Sequence, residues 1–516
     1  MAELQVNRRG FLTLLGATPF LTSCGAGQAA VDPPTGPPRR GGTLRVGVTG
    51  GGAKDTLDPH IPATNPDIAR TVNLFEPLAH RNHEYKLEML VAESITSSPD
   101  AQTWTAVIRD GIRFHDGRPV TPPDVVATFQ RILDPQDPKG GAANLTMLDR
   151  VVATGDRTVE FRLTEPSAVF DDLVGQYVMG IVPSDFSPDK PIGTGPFKAG
   201  SFTAGLQSVF SRNDLYWRPG EPYLDELVLI NFTEDDARIN ALLSSQVDAI
   251  DQVPVALVDV LRSDPRIRVL DSPTGTWLPF TMRTDRPPFD DVRVRQAMRL
   301  VVDREQMINQ VLSGQGQIGN DLYAPFDEAY ARDLPQRTRD IAEAKRLLAE
   351  AGKENLEVEL VTAPIQAGAV EAAQVFQRQA QDAGIRVRIN RLDTTTFFGD
   401  DYLSWDFAQS FWYTRNYLPQ VAQGSMPDSP YNETHWADPE FQDLIKRART
   451  TVDKSTRDSL LAQAQWIEYE RGGNIIWGFM NQVDAYQVYV AGLVADRTGI
   501  SLSGYQFRHV WLGGAR

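Results

Sequence analysis

Between residues 290 and 390 the chain alternates capped amphipathic helices with short strands of period two, and few folds are open to a chain built that way. Asp290 and Asp291 precede Val294, Ala297, Met298 and Val301, an apolar stripe at helical spacing. Asp303 with Gln306 reads as a capping box ahead of Ile308, Val311 and Leu312, and Gly314 supplies a stop. Asp340 with Glu343 repeats the box before Ala344, Leu347 and Ala351, closed by Gly352. A strand follows at Leu356, Val358 and Leu360. Next come a helix through Val370, Ala373, Phe376 and Ala380, ending at Gly384, and a strand at Ile385, Val387 and Ile389. The alternation predicts an α/β lobe with a partly parallel sheet. No short-period repeat points to a solenoid.

Other segments read as strands with one buried face: Leu44, Val46 and Val48; Trp104, Ala106 and Ile108; Val159, Phe161 and Leu163. The run from Leu227 to Ile230 is apolar at every position, which predicts a central strand covered on both faces. Asp235 and Asp236 are expected to cap a helix that turns Ile239, Leu242 and Leu243 inward. A chain of 516 residues, 41% hydrophobic and 23% charged, should form two or three ordinary globular domains.

The amino terminus carries an address. Arg8 and Arg9 precede an apolar run from Gly10 to Leu21, too short to span a bilayer as a permanent helix. Asn-Arg-Arg-Gly-Phe-Leu at 7–12 resembles a twin-arginine export signal, and Leu-Thr-Ser-Cys at 21–24 resembles a bacterial lipobox. Residues 1–24 are therefore expected to be a signal peptide, with Cys24 as the lipidation site. The anchor would gain about 0.8 kcal/mol per buried CH₂. Cys24 is the one cysteine in the sequence, which excludes an internal disulfide and a thiolate metal site. Residues 25–42 are Gly, Ala and Pro with almost no large apolar side chain and are expected to form a flexible tether. The body should lie outside the cytoplasm, held by lipid in the periplasm or at the outer membrane face. The net charge of −16 argues against nucleic acid and against electrostatic docking on anionic lipid.

No reaction is legible. G-x-S-x-G, H-E-x-x-H and the Walker A loop do not occur. Gly193-Thr194-Gly195-Pro196 reads as a tight loop, because proline removes an amide that phosphate binding would use. His80 and His83 follow Phe-Glu-Pro-Leu and are expected in a solvated loop, and His115-Asp116-Gly117 reads as a turn. The expectation is no catalytic residue, no metal and no cofactor. Phe397, Phe398, Tyr402, Trp405, Phe407, Phe411, Trp412, Tyr413 and Tyr417 form a dense aromatic segment mixed with Arg415, Asn416 and Pro419, a composition suited to core and to a ligand pocket alike.

Several long blocks in order resemble one family. They are GGTLRVG at 41–47, LDPH at 57–60, FEPL at 75–78, WTAVIRDGIRFHDGRPVTPPDVVATFQRIL at 104–133, GTGPF at 193–197, RNDLYWRPGEPYLDELVL at 212–229, LLSSQVDAID at 242–251 and FDDVRVRQAMRLVVDREQMINQVLSGQG at 289–316. The chain is similar to the extracytoplasmic solute-binding proteins of ABC importers, family 5, which take up dipeptides, oligopeptides and nickel complexes. The resemblance implies an α/β, two-lobed periplasmic-binding-protein fold with a hinge and an inserted domain. Lobe I would comprise 41–74, 191–272 and 485–516, the inserted domain 75–190, and lobe II 273–484. Ligand would bind between the lobes and stabilise a closed form, which would deliver it to permease and ATPase subunits. The chain would act as a monomer.

The resemblance also implies a ligand-binding set: Ala63, Thr64 and Asn65 from lobe I, and Trp412, Tyr413 and Arg415 from lobe II. Peptide-binding members carry Trp, two residues and then Asp, which pairs with the peptide's α-ammonium. Here Trp412 matches and Arg415 stands in place of the Asp. An ammonium about 4 Å from Arg415 would be repelled by roughly 4 kcal/mol at an effective dielectric near 20, unless Asp400, Asp401 or Asp406 took over the role. Arg415 has three roles open to it: pairing with an internal acid, pairing with an anionic or carbonyl-rich ligand, or turning into solvent. The ligand is expected to be a peptide or peptide-like solute, the alternatives being an oligosaccharide, a metal chelate or an acidic metabolite. A secreted enzyme or chaperone on the same fold is the other class of function.

Overall fold

The computed structural model describes residues 34–513. Arg8, Arg9, Cys24 and residues 25–33 of the tether lie outside the described residues.

The chain is organised around three larger sheets. Eight strands form the first, in the order Ile267–Trp277, Gly478–Gln487, Ala249–Ile250, Thr43–Thr49, Glu226–Phe232, Gln207–Arg212 and Phe197–Thr203, with Gly316–Ile318 branching from the second. Thr43–Thr49 lies between two parallel neighbours, pairing Val46 with Leu229 on one side and with Ala249 on the other. Leu44, Val46 and Val48 are wholly buried, as the alternation requires. The apolar run 227–230 does occupy a central strand, but its faces are covered unequally. Leu227 and Leu229 are fully buried, whereas Ile230 is half-buried against the cluster of Ile239 and Leu242. Glu234, one residue before the expected pair, is the cap of the Asp235–Leu243 helix.

A second sheet is antiparallel, in the order Ala92–Ser97, Thr103–Ile108, Thr158–Leu163 and Leu148–Ala153. The Pro122–Ile132 helix packs on it through Val125, Phe129 and Ile132, giving a core that also holds Trp104, Phe161 and Phe170. The third sheet runs Arg386–Arg391, Glu357–Thr362, Phe407–Gln409, Phe280–Met282 and Asn474–Ile475. Its first two pairings are parallel and the rest antiparallel, in keeping with the expected partly parallel lobe. Around it stand the helices Val292–Leu300, Arg304–Val311, Ile341–Glu350 and Ala369–Gln381. Asp303 and Asp340 cap two of these by accepting from the amides of Gln306 and Glu343, each at 2.9 Å.

The first and third sheets are joined by the antiparallel ribbon of Ile267–Trp277 and Gly478–Gln487. Leu270, Val483 and Ala485 pack into cores of the first sheet, whereas Trp277 and Phe479 pack into a core beside the third. Between these groups the register shifts, at Pro273 to Thr276 opposite Asn481 and Met480. The two bodies thus share two strands with a bulge where one core ends and the next begins.

His83 lies in an exposed turn and His115-Asp116-Gly117 forms a turn, as expected, whereas His80 departs from the sequence reading. His80 lies on the Ala79–Arg81 strand, buried, with Nε2 3.4 Å from Glu88, and not in a solvated loop. His115 is buried and bridges the glycine loop, accepting from the Gly193 amide through Nδ1 at 3.2 Å. That loop is tight for a steric reason: a Cβ at Gly193 would lie 2.1 Å from the Leu74 carbonyl oxygen.

Candidate functional site

A cleft of about 1700 Å³ lies where the three bodies meet. Its walls come from distant parts of the chain: the start of the Asn65–Leu74 helix, the 81–85 turn, the 172–177 segment, the ribbon at Thr276 and Met480–Val483, the 413–416 loop and the 498–505 segment. Of the six residues named from the sequence, Ala63, Thr64, Asn65, Tyr413 and Arg415 line it. Trp412 does not. Its ring is buried, stacked on Trp277 at 6.1 Å between centroids, and belongs to the core around Tyr323 and Tyr417. Nor do Asp400, Asp401 or Asp406 reach the cleft; Asp406 pairs with Arg286 at 3.0 Å.

On the first wall, Thr64 caps the Asn65–Leu74 helix and Asp67 closes a capping box. Asp67 accepts from the amides of Ala63 and Thr64 at 3.2 and 3.3 Å, and also binds the Arg70 guanidinium at 2.7 Å. Because these amides are already satisfied, Ala63, Thr64 and Asn65 offer the cleft a small, uncharged surface.

The opposite wall is held more firmly. Trp277 and Trp412 exchange two backbone hydrogen bonds of 3.0 Å, and Thr414 Oγ1 accepts from the Gly275 amide at 2.9 Å. This bracing turns Tyr413 outward, 56% exposed, and lays the Arg415 guanidinium over the Trp412 ring at 5.6 Å. Arg415 makes one weak hydrogen bond, to Gln420 Oε1 at 3.4 Å, and among the described residues no carboxylate lies within 4.0 Å of it. Burial pulls its pKa below the ordinary arginine value. Behind Trp412, Glu433 is buried, accepts from the Tyr402 hydroxyl at 2.9 Å and is pushed up to about 7 by desolvation.

Several lining residues escaped the sequence reading. Asp172 spans two bodies, accepting from Arg81 Nε at 2.6 Å and from Asn416 Nδ2 at 2.8 Å. A second bridge joins Arg449 to Glu165 at 3.1 Å, beside the backbone bond from Ala168 to the Arg449 carbonyl. The 501–505 stretch, Ser-Leu-Ser-Gly-Tyr, holds Leu502, Ser503 and Tyr505 at positive φ of 49°, 62° and 53°. Non-glycine residues adopt this conformation at a cost. Here it is imposed by Asp484, which accepts from the Leu502 amide at 2.6 Å, and by Asp251, which accepts from the Tyr505 hydroxyl at 2.7 Å. The paired acids Asp171 and Asp172 after an apolar run were a faint signal of the first feature, and nothing in the sequence marked the second. Among the described residues no group of three or more His, Cys, Asp or Glu is placed to hold a metal ion.

Comparison with known proteins gives this cleft a context. Residues 86–431 match the family model of bacterial extracellular solute-binding proteins, family 5. The dipeptide-binding protein DppE of Bacillus subtilis is 24% identical over 488 residues, 86% of this chain and 88% of that protein. Di/tripeptide-binding protein 1 of Pseudomonas aeruginosa is 27% identical over 429 residues, 74% of this chain and 78% of that protein. Among solved structures, the binding protein AgaA from A. tumefaciens R10, in complex with agropinic acid, is 25% identical, with a TM-score of 0.71 over 92% of this chain and 99% of that one. These relatives are binding proteins and not enzymes. The chain belongs to the bacterial extracellular solute-binding proteins, family 5, the two-lobed extracytoplasmic receptors of ABC importers.

Proposed function

We propose that the chain is a lipid-anchored receptor that captures a peptide or peptide-like solute in the cleft and delivers it to the permease and ATPase subunits of an importer. The observation that carries this reading is the cleft itself, about 1700 Å³ and walled by separate hydrophobic cores joined through a two-stranded ribbon. A site shared between bodies binds most tightly when the bodies close, so ligand stabilises the closed form by its differential affinity. The relatives named for dipeptides and di/tripeptides support a peptide-like ligand, and the structural relative in complex with agropinic acid supports an organic acid.

Lobe I in this reading comprises 41–74, 191–272 and 485–516, the inserted domain 75–190, and lobe II 273–484. The separation of the cores supports that division. Ala63, Thr64, Asn65, Tyr413 and Arg415 are the ligand contacts, and Trp412 acts behind them by holding Arg415. Lipid on Cys24 and export through Arg8 and Arg9 rest on the sequence motifs.

A thermal-shift screen of residues 25–516 against short peptides, oligosaccharides, metal chelates and small organic acids tests the reading. Saturable stabilisation by a peptide or peptide-like acid, with the compound recovered chemically unchanged, is expected. Turnover of the bound compound, or stabilisation by oligosaccharides alone, would contradict it.

A further inference from the structure

Arg415 differs from the other arginines on the cleft walls that sit among protein atoms. Arg81 is bound by Asp172, Arg449 by Glu165, and Arg508 lies 3.5 Å from Glu221. Arg391 has no such partner but is exposed, so water serves it. Arg415 is only partly exposed, and its one neutral acceptor is Gln420 at 3.4 Å. A guanidinium has five N–H donors, so most of its hydrogen-bonding capacity is directed at no protein atom.

The neighbouring acids are already committed. Asp172 uses one oxygen on Arg81 and the other on Asn416. Asp327 accepts from the Tyr417 amide at 2.8 Å and from the Ala329 amide at 2.9 Å. Glu433 lies behind the Trp412 ring and accepts from Tyr402. None of these carboxylates lies within ion-pair distance of Arg415, whose one protein acceptor among the described residues is Gln420. The guanidinium is also fixed in place. It rests on Trp412, which Trp277 stacks from behind and Tyr431 meets edge-on at 6.0 Å. A guanidinium that rests on a ring, lines the cleft and has most of its N–H donors unused can bind a carboxylate through two parallel hydrogen bonds.

We infer that the solute taken up in this cleft is a peptide-like molecule bearing a carboxylate that pairs with Arg415, and that Arg415 sets the receptor's preference for anionic over neutral and cationic forms of one scaffold. The inference rests on the receptor reading above and names the charge class of its ligand. The uncharged wall at Ala63, Thr64 and Asn65 fits it, since that surface offers no carboxylate to hold a ligand ammonium.

Calorimetry with four trialanine probes separates the two claims. They are the cationic amide with a free amine, the neutral N-acetyl amide, the N-acetyl acid, and the N-succinyl amide. The last two place one negative charge at opposite ends. One of the anionic probes should bind about tenfold or more tighter than the neutral one, and the cationic probe weakest. Arg415→Gln should erase the anionic advantage with the melting temperature held, and Arg415→Lys should keep part of it. Binding of all four probes with equal strength, or an anionic advantage that survives in Arg415→Gln, would overturn the inference and leave the receptor reading standing. Binding of none would remove the peptide-like reading and this inference with it.

Discussion

Arg415 and Trp412 lie three positions apart in one loop and have opposite fates, a difference that only tertiary packing decides. Both were legible as site candidates from the sequence. Packing assigns Trp412 to the core, where Trp277 stacks on it, and leaves Tyr413 and Arg415 for the cleft. Below them a buried carboxylate offers a test of the core. Glu468 is fully enclosed, accepts from the Tyr417 hydroxyl at 2.7 Å and from Ser425 at 3.4 Å, and desolvation pushes it up to about 7. Its folded-state pKa exceeds that of the unfolded chain, so the native state holds the proton longer. Stability from this group is complete below pH 4.5 and is lost as pH rises to 7, by about 3 kcal/mol. Glu468→Gln cannot ionise. Its stability relative to wild type, from urea melts, should therefore be more favourable at pH 8 than at pH 5. An equal difference at both values would show that Glu468 is not held protonated.

At the scale of elements, the helices between 290 and 390 were readable because their caps are local. Asp291, Asp303 and Asp340 each accept from an amide two or three residues on, and such pairs are written in consecutive sequence. The ends that escaped are satisfied from far away. The Lys454–Arg471 helix was not anticipated, and its last carbonyls are bound by side chains of Val292–Leu300. Arg299 donates to the carbonyls of Tyr469, Gly472 and Asn474, and Arg295 to those of Arg471 and Gly472. Two buried cations at a helix C-terminus oppose the negative end of its dipole. Their own burial lowers both to about 10. Arg299→Met should leave these buried carbonyls short of donors and cost about 1–3 kcal/mol. Hydrogen exchange should then quicken around 469–474 more than in the Ala369–Gln381 helix. Uniform quickening across both would show that the contact serves global stability and not this helix end. The left-handed run at 502–505 was illegible for a related reason: Asp484 and Asp251, which impose it, lie tens to hundreds of residues upstream.

At the scale of the whole molecule, the α/β architecture followed from local periodicity, while the assembly of the cleft did not. Asp172, Asn416 and Arg81 meet across segments separated by up to 335 positions, a juxtaposition that no local pattern encodes. Membrane attachment through Cys24, as proposed, would be separable from folding, because Cys24 precedes a stretch with almost no large apolar side chain. Cys24→Ala should move the protein from the membrane to the soluble fraction with an unchanged melting temperature. Retention of the variant on membranes would refute lipid anchoring at that residue.

Closure of the two lobes around a solute is the central claim, and small-angle scattering reads it directly. Residues 25–516 would be measured alone and with a saturating amount of whichever compound most raises the melting temperature. The ribbon of Ile267–Trp277 and Gly478–Gln487, with its bulge at Pro273–Thr276, is where we propose the bend. A smaller radius of gyration with the compound bound is expected. An unchanged radius at saturation would contradict closure and would identify the cleft as rigid.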